Sequence, residues 1–150
     1  CVPPGRRTEE YAGELLESYG KWVVDTLQPF VCERHDVGTT WGTLGASYGG
    51  NVALDLARRY PDRFDRAAAM SPYVAPEQTA AYATMPPSQV RIYVNWGMFD
   101  LPELIPMARD FAALVSERGF ACRAEELPQG HSWSFWRDTL PAALAFLYER

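Results

Sequence analysis

The segment Gly45-Ala46-Ser47-Tyr48-Gly49 decides the fold, because it fits the pattern Gly-x-Ser-x-Gly between two predicted elements. Residues 39–45 contain β-branched and aromatic side chains and predict a short strand. Beyond the pattern, apolar side chains recur at helical spacing and predict a helix that Pro61 ends. These side chains are Val52, Ala53, Leu56, Ala57 and Tyr60. The serine therefore lies on a sharp strand-to-helix turn, where a nucleophile elbow belongs.

The predicted turn lifts the Ser47 hydroxyl above the carboxyl end of the strand. We expect strained backbone angles at Ser47, and we expect bulky side chains at positions 45 and 49 to collide with the neighbouring strand or helix. The Tyr48 N–H, at the start of the helix, would point towards a developing oxyanion. The alternative is a glycine-rich turn in which Ser47 only caps the helix.

The rest of the chain alternates predicted strands and helices. Strands are predicted at 66–71, 90–94 and 120–127, and helices at 8–30, from Leu104 to Gly119 and at about 133–148. Pro29 should limit the first helix and Pro141 should kink the last, while residues 72–88 form a loop or a short helix. This order predicts one α/β domain over 1–150, with a mostly parallel sheet and helices on both faces. Ligands of such sheets bind at the carboxyl ends of the strands.

A serine hydroxyl is a weak nucleophile and needs a base. His131 directly follows the fourth predicted strand, whereas His35 lies in a polar turn at the wrong end of the first strand. The base needs an acid to fix its tautomer. Asp100 follows the third strand and is the preferred candidate; Glu103, three residues on, is the alternative, and Asp100 could instead cap the third helix. The chain order Ser47, Asp100, His131 is that of the α/β-hydrolase triad.

Aromatic side chains flank the candidate acid and base. Trp96 and Phe99 lie beside Asp100, and Trp133 follows His131, so these three are candidates for the wall of a substrate pocket. Core packing is an equal alternative for Trp133. The helical spacing of Trp136 predicts a core position.

Composition narrows the function classes. The 150 residues are 47% hydrophobic, which excludes a disordered chain, and the net charge of −5 with scattered arginines argues against nucleic-acid binding. No apolar run approaches the length of a membrane span. The cysteines at positions 1, 32 and 122 are too few and too far apart for a disulfide framework or a zinc site, so we expect no metal or cofactor. With no signal peptide, they suit a reducing compartment, and we expect a cytoplasmic location.

Several blocks of the sequence are similar to those of one family. Leu44–Gly50, Ala57–Phe64 and Ser71-Pro72 resemble the esterases of the α/β-hydrolase superfamily that include enterochelin esterases, esterase D, feruloyl esterases and mycolyltransferases. Gly130–Arg137 is similar to the Gly-His-Asp-Trp…Trp-Arg block of the enterochelin-esterase-like branch, with Ser132 where that branch usually has Asp. The resemblance spans about residues 6–150.

The resemblance implies roles and a gap. It implies Ser47 as nucleophile, His131 as base and Asp100 as acid in an α/β-hydrolase fold. Family members carry further strands before the first helix of this chain, and one of them delivers the second oxyanion donor. The resemblance therefore implies the C-terminal portion of a catalytic domain, in which strand 39–45 becomes a sheet edge. We expect a second copy or an N-terminal segment to cover that edge.

The sequence thus predicts a serine esterase that cleaves small-molecule carboxylic esters through an acyl-enzyme. One alternative is acyl transfer, in which an alcohol replaces water. Another is a non-catalytic hydrolase fragment that acts as an assembly or binding piece.

Overall fold

A computed structural model describes residues 5–149. Within them, four parallel strands form one sheet in the order β1-β2-β3-β4. The strands are β1 (Gly42–Ala46), β2 (Arg66–Met70), β3 (Arg91–Phe99) and β4 (Ala121–Gly130). Residues 1–4, which include the cysteine at position 1, lie outside the described residues. The parallel α/β class predicted from the sequence is confirmed.

Seven α-helices surround the sheet in the described part of the chain. They are α1 (Arg7–Ala12), α2 (Leu16–Trp22), α3 (Gln28–Arg34), α4 (Tyr48–Arg59), α5 (Pro76–Thr84), α6 (Leu104–Glu117) and α7 (Trp133–Tyr148). A π-helical turn, Val23–Leu27, joins α2 to α3, and a 3₁₀ turn, Pro87–Gln89, precedes β3. α7 runs through Pro141.

Alternating side chains of the central strands divide the core between the two faces of the sheet. Ala67 and Ala69 of β2 pack in the large cluster formed with α4, α5 and α6. Ala68 packs on the opposite face with side chains of α7. Both faces of β2 are buried, which explains its unbroken run of small apolar residues.

The predicted helix at 8–30 is wrong in two respects. The chain leaves α1 at Gly13, whose ψ of −156° is extended, so the helical pattern is interrupted before α2. Pro29 does not limit the helix, because it lies in the first turn of α3, where its missing N–H has no cost. The π turn before it has its Gln28 N–H bonded to the Val23 carbonyl, and this wider turn relieves the clash that proline makes with the preceding turn.

Two predicted strands are too short. β3 continues to Phe99 and β4 to Gly130, past the predicted ends at 94 and 127. The extension is held by pairing between the two strands, with Gly97 opposite Leu127 and Phe99 opposite Gly130 across a bulge. It brings Asp100 and His131 to the first positions after their strands.

β1 lies at the edge of the sheet among the described residues, as the resemblance implied. Leu44 is exposed on it. The expectation that a second copy or another segment covers this edge stays a prediction.

Candidate active site

The turn after β1 has the strained geometry expected of an elbow. Ser47 has φ 57° and ψ −127°, a region that non-glycine residues rarely adopt and that costs about 1–3 kcal/mol. Its N–H donates to the Met70 carbonyl at 2.9 Å, and its carbonyl accepts from the Tyr73 N–H at 3.1 Å. These bonds hold the turn against the end of β2. The Ser47 side chain makes no capping bond to α4.

Close backbone contacts explain one of the two pattern glycines. A Cβ at position 45 would lie 2.0 Å from the Gly49 carbonyl oxygen, so only glycine fits there. The expectation of a collision at position 49 is wrong, because a Cβ there would meet open space. Gly50 is the second restricted position, with a hypothetical Cβ 2.8 Å from the Pro72 side chain.

The Tyr48 N–H lies at the N-terminus of α4. Tyr48 is the first residue of α4, and the first N–H groups of a helix have no acceptor within it. The helix dipole adds partial positive charge at this end. The Tyr48 ring packs edge-on against Tyr73 at a centroid distance of 5.2 Å, which fixes the start of the helix beside the turn.

Asp100 and His131 are brought together at the carboxyl edge of the sheet. The His131 Nδ1 lies 2.6 Å from Asp100 Oδ1. Because an ionised carboxylate only accepts hydrogen bonds, Nδ1 carries the proton and Nε2 is left free to act as a base. The Asp100 side chain is fully buried, whereas the His131 side chain is 20% exposed. The Nδ1 side of the imidazole is therefore held by the buried Asp100, while part of the His131 side chain stays exposed.

The Asp100 carboxylate accepts three further hydrogen bonds. Oδ1 accepts from the Leu101 N–H at 2.8 Å, and Oδ2 accepts from the Ser71 hydroxyl at 2.5 Å and the Gly97 N–H at 3.3 Å. Burial raises the pKa of Asp100, but hydrogen bonds from Ser71, Leu101, His131 and Gly97 outweigh it and hold the pKa below its usual value. The carboxylate therefore stays ionised to a lower pH than an ordinary aspartate does.

The alternative acid occupies a different environment. Glu103 is exposed at the residue before α6 and does not bond His131. His35 is exposed at the end of α3. Asp100, and not Glu103, is therefore the carboxylate that is hydrogen-bonded to His131.

Sequence reasoning missed the contact that Ser71 makes with Asp100. Ser71 directly follows β2, is fully buried and has φ 44°. It also accepts a hydrogen bond from the Trp136 indole N–H at 3.1 Å. Trp136 is buried as predicted, but its ring also packs edge-on against His131 at 4.9 Å. A serine directly after a strand, beside a strand that ends in the candidate acid, was the available signal.

The three predicted pocket residues have different positions. Trp96 is buried with Val94 and side chains of α6. Phe99 is exposed at the last residue of β3. Trp133 is 81% exposed and packs edge-on against Trp136 at 5.0 Å. Of the three, Trp133 is the one that lines a cavity.

That cavity is an apolar groove of about 460 Å³ that runs from the elbow along the edge of β1. Ala46, which directly precedes Ser47, lines it together with Gly49 and Trp133, and Trp41 and Leu44 line it further along β1. The groove therefore places an apolar surface beside the serine.

Ser47 and His131 are not hydrogen-bonded to each other in this structure. Within residues 5–149, the Ser47 hydroxyl makes no hydrogen bond to the imidazole. Catalytic hydrogen bonds are often long in a protein without substrate and tighten in the complex. Trp136 connects the two regions, since it packs with Ala46 at the end of β1, with Met70 at the end of β2 and with His131.

The described residues show no group of three or more His, Cys, Asp or Glu side chains that could hold a metal ion. Ser132 accepts a hydrogen bond from the Phe135 N–H at 3.3 Å and caps α7, a role that an aspartate also fills. No helix between residues 5 and 149 is long and apolar enough to cross a membrane.

Residues 2–147 match the model of a family described as "Putative esterase". Enterochelin esterase from Shigella flexneri is similar in structure, with a TM-score of 0.83 and 18% identity over 99% of this chain and 41% of that chain. S-formylglutathione hydrolase from Staphylococcus aureus has a TM-score of 0.68 and 14% identity over 94% and 63%. A ferulic acid esterase has a TM-score of 0.70 and 18% identity over 86% and 60%.

The chain therefore spans between 41% and 63% of the length of these solved structures. No curated protein matches its sequence.

Proposed function

The chain belongs to this esterase family, and from that premise we propose that it hydrolyses small-molecule carboxylic esters through an acyl-enzyme formed on Ser47. The observation that carries the proposal is the buried Asp100–His131 hydrogen bond at the same sheet edge as the strained elbow serine. A structural histidine needs no ionised partner that accepts four hydrogen bonds, and a surface turn needs no positive φ at a serine.

The acylation step uses the free Nε2 of His131. Ser47 Oγ attacks the ester carbonyl carbon and its proton passes to Nε2. The carbonyl oxygen becomes an oxyanion that accepts a hydrogen bond from the Tyr48 N–H. When the tetrahedral intermediate collapses, the C–O bond to the alcohol breaks and the imidazolium protonates the leaving oxygen. Water then repeats the sequence on the acyl-enzyme and releases the acid.

Asp100 supports both steps. Its Oδ1 holds the His131 ring so that Nε2 is unprotonated at rest, and its charge stabilises the imidazolium that forms. The carboxylate is buried and fully hydrogen-bonded, so it cannot rotate away without losing several bonds.

The end of the apolar groove lined by Ala46, Gly49 and Trp133 supports an apolar substituent on the substrate. The stretch along Trp41 and Leu44 belongs to the sheet edge that we expect a second copy or an N-terminal segment to cover. Trp133 lines the groove and is exposed, and an exposed indole offers a flat contact surface for such a group. This proposal keeps Trp133 as a pocket residue; Trp96 and Phe99 have no place in it, since the first packs under α6 and neither lines the groove.

Hydrolysis of a p-nitrophenyl ester tests the proposal. Ser47→Ala should lose about 10⁴-fold or more in kcat, because no other group replaces the nucleophile. Ser116→Ala, at an exposed position on α6, is the matched control and should retain wild-type kcat. Equal activity of Ser47→Ala and wild type would refute the mechanism.

The missing Ser47–His131 hydrogen bond favours one alternative, a non-catalytic role for this chain as an assembly or binding piece. That alternative predicts no ester hydrolysis by the wild type.

Acyl transfer predicts that an added alcohol yields a new ester in place of free acid, with the same dependence on Ser47.

A further inference from the structure

We propose that Ser71 and Trp136 are positioning residues that hold the Asp100–His131 pair in its working orientation. The proposal rests on the proposed function, but the geometry that supports it does not depend on any substrate. Neither residue would touch the ester; each acts through the acid or the base.

Ser71 fixes the rotamer of the acid. A carboxylate can turn about its terminal torsion, and only one setting directs Oδ1 at His131 Nδ1. The Ser71 hydroxyl donates to Oδ2 at 2.5 Å and thereby holds the opposite oxygen. Bonds from a neutral hydroxyl to an ionised carboxylate are among the stronger ones in proteins. Ser71 therefore fixes the terminal torsion of Asp100 through Oδ2, the carboxylate oxygen that does not bond the imidazole.

The Ser71 hydroxyl is itself held in one orientation. Ser71 is fully buried, and its backbone N–H donates to the Asn95 carbonyl at 2.7 Å. This bond holds the Ser71 backbone against β3. The Trp136 indole N–H donates to Ser71 Oγ at 3.1 Å, and an indole N–H can only donate. The single Ser71 hydroxyl proton is thus directed at Asp100 rather than shared.

Trp136 acts on the base as well as the acid. The face-to-edge contact of its ring with the His131 ring has a centroid distance of 4.9 Å and an interplanar angle of 89°. One side chain on α7 therefore limits rotation of the imidazole while its N–H orients the hydroxyl that orients the carboxylate. Ser71 lies in a left-handed conformation, φ 44°, that serine rarely adopts, which is consistent with a position chosen for its hydroxyl.

The test begins with Ser71→Ala, which removes the hydroxyl and keeps the Cβ and the backbone restriction. We expect kcat to fall about 10- to 100-fold while KM stays within about twofold, because the lost bond orients the acid and does not contact substrate. Thr139→Val is the control: it removes a nearby α7 hydroxyl that donates to the backbone carbonyls of Phe135 and Trp136 and to Met70 Sδ, but not to Asp100, and it should retain wild-type kcat. A fall in kcat no greater than that of the control would overturn the role of Ser71.

A double variant tests whether Ser71 acts through the acid. Ser71→Ala added to Asp100→Asn should cost little beyond Asp100→Asn alone, since the group that Ser71 orients is already lost. A full additive loss would overturn the positioning role. Trp136→Phe keeps an aromatic ring against His131 and lacks the N–H; it should lower kcat in the same direction, and it carries the test if Ser71→Ala does not fold.

The decisive readout needs no substrate. In Ser47→Ala protein, the His131 Nδ1 proton should give a downfield NMR signal from its short bond to Asp100, and Ser71→Ala and Trp136→Phe should each move it upfield. An unmoved signal in a folded variant would overturn the proposal for that residue. If the protein does not hydrolyse esters, the kinetic measurements fail for every variant. The NMR signal of the His131 Nδ1 proton still shows whether Ser71 and Trp136 hold the Asp100–His131 pair.

Discussion

Replacement of the candidate acid by its amide, Asp100→Asn, is the most informative single change. The two carboxylate oxygens accept four hydrogen bonds, from His131 and Leu101 on Oδ1 and from Ser71 and Gly97 on Oδ2. An asparagine has one oxygen and one NH₂ group, so it can satisfy only one of these sides.

Either orientation of the amide damages the site. With its oxygen towards Ser71 and Gly97, its NH₂ faces His131 Nδ1, which then has to accept a hydrogen bond and moves the imidazole proton to Nε2. That tautomer cannot take a proton from Ser47. With its oxygen towards His131, its NH₂ meets the buried Gly97 N–H, and an unsatisfied buried donor costs about 1–3 kcal/mol. The first orientation leaves the Leu101 N–H unsatisfied and the second leaves the Gly97 N–H unsatisfied. In both, the charge that would stabilise the imidazolium is lost.

The expected loss is therefore large. We expect kcat/KM for a p-nitrophenyl ester to fall about 10⁴-fold, equivalent to about 5 kcal/mol of transition-state stabilisation. Glu103→Gln makes the same chemical change at an exposed carboxylate and should stay within about twofold of wild type. Loss of activity in Glu103→Gln with Asp100→Asn near wild type would refute the assignment of the acid.

Two further predictions concern stability. Gly45→Ala should lower the free energy of unfolding in urea by about 3 kcal/mol, because its Cβ would lie 2.0 Å from a backbone oxygen. Gly49→Ala, whose Cβ meets open space in a helix, should leave that free energy unchanged or raise it by up to about 1 kcal/mol; equal losses would contradict the close contact. Burial and then hydrogen bonding set the pKa of Asp100, and the net effect lowers it in the folded state. Its ionised form therefore stabilises the fold above the unfolded pKa of about 3.9, and that stability is lost as pH falls through the folded value. Unfolding followed by circular dichroism should show wild type losing stability more steeply than Asp100→Asn below about pH 4, and parallel pH curves would contradict this.

Local sequence signals were sufficient for the turn at Ser47 and for the proximity of Asp100 and His131. A strand, a Gly-x-Ser-x-Gly turn and a helix follow one another within a short stretch, so their positions depend on nearby residues. Asp100 and His131 were placed by counting strands, and parallel strands bring their carboxyl ends to one edge whatever the details of packing.

The errors lie where distant residues decide. The ends of β3 and β4 depend on pairing across the bulge at Gly97, which no local pattern reveals. The free space at Gly49 and the close contact of Gly50 with Pro72 depend on the position of a loop that follows β2. The contact from Ser71 to Asp100 joins the ends of two strands, and it needed their side-chain orientations as well as their order.

Covalent labelling measures directly whether Ser47 is a nucleophile that His131 activates. The protein would be incubated with a fluorophosphonate, digested and sequenced by tandem mass spectrometry. We predict a phosphonyl adduct on the peptide that contains Ser47, abolished in Ser47→Ala and strongly slowed in His131→Ala. Wild-type protein that stays unlabelled at Ser47, or that is labelled at the same rate when His131 is replaced, would contradict the account.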